Sequence, residues 1–183
     1  MAKEQLMQER AEPENVNLVV SFFTGNPSLF ADTLKTLEER FGHIEFLSEA
    51  IDFNGTGYYK EEFGAGLKRK LVSFERLIPA DGLAAIKIFT DGLEKTLSDG
   101  NGKRRVNIDP GILTLERFVL ATRKNFTHRV YIGSNVYADL TLLYSKNNWR
   151  ALEWTYPDYK TERMMNILTS IRTRYAHKIG RGA

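Results

Sequence analysis

The chain of 183 residues contains no cysteine, so disulfide bonds, thiolate nucleophiles and cysteine-ligated zinc or iron–sulfur centres are excluded. No apolar run approaches the roughly 20 residues that a membrane-spanning helix needs. The polar start, MAKEQLMQERAEPEN, has no apolar signal core. We therefore expect a cytoplasmic protein with no membrane partner.

The usual nucleotide and hydrolase motifs are also missing. SDGNGKRR contains Gly-Lys, but Leu97 stands where a P-loop needs its first glycine, and Arg104 stands where Ser or Thr is needed. The sequence has no Gly-rich dinucleotide fingerprint, no Gly-x-Ser-x-Gly elbow and no His-Glu-x-x-His helix. These absences leave the cofactor unknown and do not decide whether the protein is an enzyme.

The composition is that of a globular protein, with 42% hydrophobic and 27% charged residues. The length suits one well-cored domain. We expect a flexible segment over residues 1–15 and a single α+β domain over 16–183. The net charge of +3 is compatible with anionic partners, although basic residues near the C-terminus are also explained by the negative end of a helix dipole.

The first part of the chain alternates strand and helix patterns. β-Branched and aromatic runs predict strands, and apolar residues at helical spacing predict helices. The expected strands cover 16–25, 43–53, 67–78 and 104–110, and the expected helices cover 26–42 and 79–100. This βαββαβ order is that of a ferredoxin-like core.

The second part adds further elements to this core. LTLERFVLATRKNF, residues 113–126, predicts a helix. Residues 128–154 predict a three-strand antiparallel meander with turns at 133–135 and 146–148, and residues 160–179 predict an amphipathic C-terminal helix. In the first hairpin of the meander, a three-residue loop would pair Arg129 with Asp139 and Tyr131 with Tyr137.

The stretch RRVNIDPGILT, residues 104–114, has an unusual polar face. Val106 and Ile108 would point to one side of a strand, and Arg105, Asn107 and Asp109 to the other. The following Pro110 and Gly111 are typical of a turn, in which Gly accepts a positive φ. The residues Arg, Asn and Asp make directional hydrogen bonds, and Arg binds a carboxylate or phosphate through two bonds at once.

Similar side chains recur on the neighbouring strands, so we expect one concave pocket on the sheet face not covered by helices. Its walls would come from the Tyr58-Tyr59 loop, the meander and the WTYPDY segment. The expected ligand-binding residues are Arg69, Ser73, Arg105, Asn107, Lys124, Arg129 and Tyr131. The expected catalytic residues, if the site is catalytic, are His128, Asp109 and Glu75. The alternative is an internal ion-pair network that serves only the fold.

Other signals are weaker. Asp109 is equally compatible with a hydrogen bond to its own turn, and a lone histidine such as His128 often serves packing. Glu61 and Glu62 are too few oxygen donors to predict a metal site. The aromatic stretch EWTYPDY, residues 153–159, either covers the pocket or plugs the end of a core.

Four separated motifs carry a family resemblance: GLKRKLVSFERLI, RRVNIDPGILT, ATRKNFTHRVYIG and WTYPDYKT. In this order and spacing they resemble the prokaryotic family called domain of unknown function 4416, over nearly the whole chain after residue 16. The resemblance implies no reaction. Some members carry the label GTP-binding protein, whereas this sequence has neither a P-loop nor the Asn-Lys-x-Asp guanine motif.

Three functions remain open. The first is a small-molecule site, enzymatic or not, for a phosphorylated or carboxylated metabolite. The second is a protein-interaction or assembly module that uses the same face, since Tyr and Arg also suit interfaces. RNA or GTP binding is less favoured, because RNA-binding sheets display stacking aromatics. The substrate, the pathway and the oligomeric state do not follow from the sequence.

Overall fold

The computed structural model describes residues 14–53, 59 and 62–181. These residues form three α-helices and nine strands. The helices are α1 (Ser28–Phe41), α2 (Leu83–Thr96) and α3 (Glu162–Lys178). The strands are β1 (Asn17–Thr24), β2 (Ile44–Leu47), β3 (Ile51–Asp52), β4 (Lys68–Phe74), β5 (Val106–Leu113), β6 (Arg117–Thr122), β7 (Arg129–Tyr131), β8 (Tyr137–Ser145) and β9 (Asn148–Ala151).

All nine strands belong to one antiparallel sheet in the order β2-β4-β1-β5-β6-β8-β7, with β3 beside β4 and β9 beside β8. The protein is therefore α+β, as expected. Because side chains alternate across a strand, the fully buried β1 contributes to two cores, one on each face of the sheet.

Helices α1 and α2 cover the first face of the sheet. Val106 and Ile108 are fully buried there and share a core with Leu37 and Phe41 of α1 and with Ile86 of α2. This burial confirms the predicted inward side of β5. Asn107 and Asp109 consequently point to the second face.

The second face is not open as expected, because α3 covers much of it. Leu168 and Ile171 of α3 pack in one core with Val19, Leu71 and Leu113 of the sheet. The apolar stripe of α3 is stabilised by packing against apolar side chains, and these sheet positions provide them. The positions nearer the start of β4 and the start of β5 carry polar side chains. The helix therefore leaves only the polar end of this face uncovered.

The predicted helix over residues 113–126 is wrong. Residues Arg117–Thr122 form β6, which pairs with β5 on one side and β8 on the other. Phe118 and Leu120, two residues apart, both pack against the second-face core. Pairing with a strand on each side, together with burial of the side chains, outweighs the helix propensity of Leu, Glu and Ala, because that propensity is a weak preference.

The predicted turn at Pro110-Gly111 is also wrong. Strand β5 continues through both residues, with Pro110 opposite Val20 and Gly111 opposite Val19. A Cβ atom on Gly111 would lie 2.6 Å from the carbonyl oxygen of Val119, so glycine is required here by the close approach of β6 and not by a positive φ.

The meander forms as predicted, except that its second turn is one residue shorter than the expected 146–148. Arg129 pairs with Asp139 and Tyr131 with Tyr137, which confirms the register. The turn between β8 and β9 consists of Lys146 and Asn147, with φ of 50° and 61°, and this pair of positive φ values is typical of a two-residue hairpin loop. The strand predicted over 43–53 is interrupted and forms β2 and β3.

Candidate functional site

The sheet divides between β5 and β6. These strands pair where Gly111–Leu113 meet Phe118–Leu120, so within the described part of the chain the first half of β5 has no neighbouring strand on that edge. Side chains of α2 satisfy this backbone instead. Glu94 Oε1 accepts the N–H of Ile108 at 2.6 Å, and Lys87 Nζ donates to the carbonyl oxygen of Ile108 at 3.1 Å.

A cavity of about 200 Å³ lies at this division. Its lining is strongly charged and partly aromatic. Of the described residues, six cations line it: Arg69, Lys87, Arg104, Arg123, Lys124 and Arg129. Five described carboxylates line it: Asp91, Glu94, Asp109, Asp139 and Asp158. The aromatic lining residues among them are Phe53, Tyr59, Tyr156 and Tyr159.

Strand alternation brings the floor of the cavity together. Arg69 of β4 lies opposite Phe23 of β1, and Phe23 lies opposite Asn107 of β5. These three residues form one row across the sheet, and Asp109 lies in the next row on the same face. The polar sides of β4 and β5 therefore face the same space.

Arg69 is almost completely buried, with 5% of its surface exposed. Its guanidinium pairs with the carboxylate of Asp158, and its Cζ lies 4.1 Å from the ring centre of Phe53 and 5.3 Å from that of Tyr159. Its Nε is buried and has no hydrogen-bond partner among the residues that the structure describes. A buried donor without a partner is costly, and here it belongs to a residue that lines a cavity.

Asp109 is held by its neighbours on one side. Its Oδ2 accepts the Asn107 amide at 2.6 Å, and its Oδ1 lies 3.6 Å from Lys87 Nζ. Lys87 Nζ also lies 3.1 Å from Asp91 Oδ1, and Asp91 Oδ2 accepts Arg123 Nε at 2.6 Å. Opposite charges thus alternate along this wall.

Burial and the surrounding charges shift the pKa values of this wall. Burial alone lowers the pKa of Lys87, but the nearby carboxylates outweigh it and raise that pKa above its usual value. Burial raises the pKa of Glu94, and the attraction of Lys87 opposes this only in part. Lys87 is therefore a charged ammonium group at neutral pH and not a free amine nucleophile.

Arg104 closes one end of the cavity. Its Nε donates to Glu62 Oε1 at 2.7 Å, and its Nη1 donates to Glu94 Oε2 at 3.1 Å. Burial alone lowers the pKa of Arg104, but its hydrogen bonds to these two carboxylates raise it. The guanidinium is thus fixed in place beside the floor residue Asn107, whose Oδ1 it contacts at 3.4 Å.

The meander supplies the opposite wall. Asp139 Oδ2 accepts Arg129 Nε at 2.8 Å and lies 3.2 Å from His128 Nε2. All three side chains are less than 10% exposed. The ring of His128 stacks on Trp154 with centres 4.8 Å apart, and Arg129 Nη2 donates to the Tyr156 hydroxyl at 3.1 Å. Arg129 and Asp139 line the cavity, whereas His128 lies behind them and contacts Asp139.

The half-buried Tyr59 and the buried Tyr159 are weak acids. Burial raises the pKa of Tyr59 to about 12, with a further increase from the Asp109 carboxylate. Burial also raises the pKa of Tyr159, and the nearby Arg69 and Ser21 oppose this only in part. Both side chains are therefore neutral phenols at physiological pH.

The family comparison agrees with the four sequence motifs. The family model described as Domain of unknown function (DUF4416) matches residues 14–175. The chain belongs to this family. No curated protein and no solved structure shows a significant match to it. The cavity thus lies entirely within the part of the chain that the DUF4416 model covers.

Within this DUF4416 chain, the structure brings half of the expected site residues to the cavity. These are Arg69, Asn107, Asp109, Lys124 and Arg129. Asp109 faces the cavity and does not close a turn, because β5 continues past it.

The other expected residues lie elsewhere. Glu75 is exposed beyond the far end of β4, about 20 Å from Arg69 along the strand. Ser73 is fully buried beneath the cover of α3, and Tyr131 is 58% exposed and packs on Tyr137. Arg105 precedes β5 and lines a separate surface cavity beside Gly25. His128, expected to handle a proton, reaches the cavity only through Asp139.

Several cavity residues were not predicted. Lys87, Asp91 and Glu94 lie at helical spacing on one side of α2, and Arg104 immediately precedes the expected Arg105. The charged i, i+4, i+7 pattern on α2 is the one sequence signal for the first three, and on most helices it marks a solvated face. Tyr58 and Glu61, named in the sequence analysis, lie outside the described residues.

The described residues contain neither a metal-binding cluster nor a membrane-spanning helix. Among residues 14–53, 59 and 62–181, no three His, Asp or Glu side chains are grouped so that they could hold a metal ion. Over the same residues, no helix combines the length and the apolar character required to cross a bilayer.

Proposed function

We propose that the protein binds a small phosphorylated or carboxylated metabolite in the cavity between β5 and β6. The observation that carries this proposal is Arg69, a buried cation that lines the cavity. A ligand carboxylate or phosphate is the natural acceptor for an arginine donor.

The concentration of charge supports the same conclusion. Replacing a buried ion pair by packed apolar groups is often neutral or stabilising, so a fold alone does not need such pairs. A site for a charged ligand does need them, because they hold charged groups in place where water is scarce. Phe53 and the tyrosines Tyr59, Tyr156 and Tyr159 enclose these charges.

The size of the cavity favours a small metabolite over a nucleotide. Its volume of about 200 Å³ corresponds to about seven water molecules at roughly 30 Å³ each. Sites for drug-sized ligands usually exceed about 300 Å³. GTP or RNA binding is thus the less favoured alternative.

Ligand-dependent thermal stability tests this proposal. Inorganic phosphate, glycerol 3-phosphate, and mono- and dicarboxylates would be added separately while the melting temperature is measured. An anion at 100 times its dissociation constant should add about 2.7 kcal/mol, which is about 5–11 °C for a chain of this length.

Three variants locate the binding. Lys124→Gln removes an exposed cation at the cavity rim and should reduce the shift, and Arg69→Gln should reduce it further. Arg150→Gln, on exposed β9, is the matched control and should behave as wild type. No shift with any anion, or a shift that both cavity variants retain, would refute the proposal.

A second candidate function is assembly with other proteins through the β7 edge. The exposed apolar side chains concentrate there, with Phe126 62%, Val130 66% and Tyr131 58% exposed. Natural proteins usually protect such edges with charges. Sedimentation velocity over a range of protein concentrations would test this candidate. If the wild-type protein is a monomer at every concentration, and Val130→Lys sediments in the same way, self-assembly through this edge is contradicted.

We also infer that the first half of the chain is a ferredoxin-like unit. The order β2-β4-β1-β5 and the packing of α1 and α2 on one face support this inference. A cytoplasmic location stays a prediction from the sequence.

A further inference from the structure

The charges around the cavity nearly cancel. Carboxylates of the protein pair with the cations Arg69, Lys87, Arg104, Arg123 and Arg129. Among the residues that the structure describes, the carboxylates that line the cavity, with Glu62 beside Arg104, equal the cations in number. Because these described groups offer no excess positive charge, they suit a ligand with one negative charge better than a phosphate ester with two or more.

One wall of the cavity accepts hydrogen bonds. Asp109 is the most exposed of the five lining carboxylates, with 32% of its side chain accessible. Its Oδ1 lies 3.6 Å from Lys87 Nζ, which is beyond hydrogen-bond distance. An ionised carboxylate has about four lone-pair sites, so Asp109 retains acceptor capacity on the cavity side that a ligand donor can use.

The donor on the ligand is better a hydroxyl than an ammonium group. The Lys87 ammonium and the Asn107 amide already lie beside Asp109. A second ammonium group would have to share Asp109 with the Lys87 ammonium, which already lies between Asp109 and Asp91. A hydroxyl group donates to the carboxylate without adding a charge.

The two polar sides lie within reach of one short ligand. Arg69 is on β4 and Asp109 is on β5, with only β1 between them. This places the two backbones about 10 Å apart across the sheet, and both side chains extend into the same cavity of about 200 Å³. A molecule of a few carbon atoms can therefore contact both.

From these features we propose that the ligand is a short hydroxy acid: a monocarboxylate, bound by Arg69 at its carboxylate group, whose hydroxyl groups donate to Asp109. This inference rests on the proposed function and specifies the ligand class of that site. It also assigns Asp109 as the residue that discriminates hydroxylated from plain acids.

Matched ligands test the inference directly. Glycolate, glycerate and threonate would be compared with acetate, propionate and butyrate, which have the same chain lengths and charge without the hydroxyl groups. Binding would be measured by calorimetry and by NMR shifts of the backbone amides of β5. At least one hydroxy acid should bind about tenfold or more tightly than its plain counterpart, because it adds a hydrogen bond to a charged group. Glycerol, which has hydroxyl groups but no charge, should bind more weakly than glycerate.

The Asp109→Asn variant should lose this discrimination. It should bind the hydroxy acids and the plain acids with similar affinity, whereas Asp32→Asn, an exposed change on α1, should keep the wild-type preference. Circular dichroism and urea denaturation would show whether each variant is folded. The ligand series on wild-type protein decides the question even if Asp109→Asn does not fold.

The possible outcomes separate the two proposals. Equal binding of hydroxylated and plain acids, or tighter binding of glycerol 3-phosphate than of glycerate, would overturn this inference and leave the anion-binding function standing. Discrimination that persists in a folded Asp109→Asn variant would also overturn it. Absence of binding by every anion tested would overturn both.

Discussion

Replacing Gly111 by alanine should destabilise the protein substantially. The added Cβ would lie 2.6 Å from the carbonyl oxygen of Val119, 3.0 Å from the ring of Phe118 and 3.1 Å from a methyl group of Leu120. The first contact is with backbone, which cannot rotate away as a side chain does. Overpacking a close contact of this kind typically costs about 1–3 kcal/mol.

The measurement is thermal and urea denaturation, with a second Gly→Ala variant as the control. A cost of about 1–3 kcal/mol corresponds to a melting temperature lower by roughly 2–12 °C. Gly92 lies in the exposed interior of α2, where a Cβ meets nothing within 4 Å, so Gly92→Ala should stabilise by about 0.4–1 kcal/mol. If both variants changed stability in the same direction and by similar amounts, the assignment of Gly111 to a close strand approach would be wrong.

Two further predictions concern the walls of the cavity. Asp139→Asn leaves the buried Arg129 cation without its carboxylate and should cost about 3–5 kcal/mol in urea denaturation. Asp52→Asn, in a pair exposed to solvent, should change stability far less. Similar small costs for both variants would contradict the buried pairing. Spectrophotometric titration should find one tyrosine, absent in Tyr59→Phe, that ionises near pH 12. The phenol of an unfolded chain ionises near pH 10. The stability that this raised pKa contributes is therefore present below pH 10 and is lost as the pH rises towards 12. If the free energy of unfolding falls with pH over this range as steeply in Tyr59→Phe as in the wild type, Tyr59 is not the cause.

Much of the fold could be predicted from local patterns. The apolar stripe of α1 and the matched faces of β7 and β8 each identify one structure, because no other period or register keeps apolar residues together. β6 could not be predicted this way. Its alternation is carried mainly by Phe118 and Leu120, and it is a strand because β5 and β8 both offer it an edge.

The candidate site was predictable in part on the strands and not on the helix. Alternation alone places Asn107 and Asp109 on one face of β5. It fails for Arg105, because β5 begins one residue later and the period does not extend outside the strand. Lys87 and Glu94 belong to the site only because β6 leaves the edge of β5 unpaired, and that is a tertiary fact with no signal in the sequence of α2.

The ion-pair network and the cavity, which the sequence presents as alternatives, prove to be one structure. Where β6 leaves β5, the backbone of Ile108 would lose its partners, and Glu94 and Lys87 supply them. Those two side chains are themselves buried charges that require partners, and Arg104 and Asp109 meet that need. The charges that keep the sheet divided are therefore the same charges that line the space between its halves. A substitution that neutralises Lys87 should consequently alter ligand binding and the pairing of β5 together, and amide hydrogen exchange at Ile108 would report the second effect without any ligand.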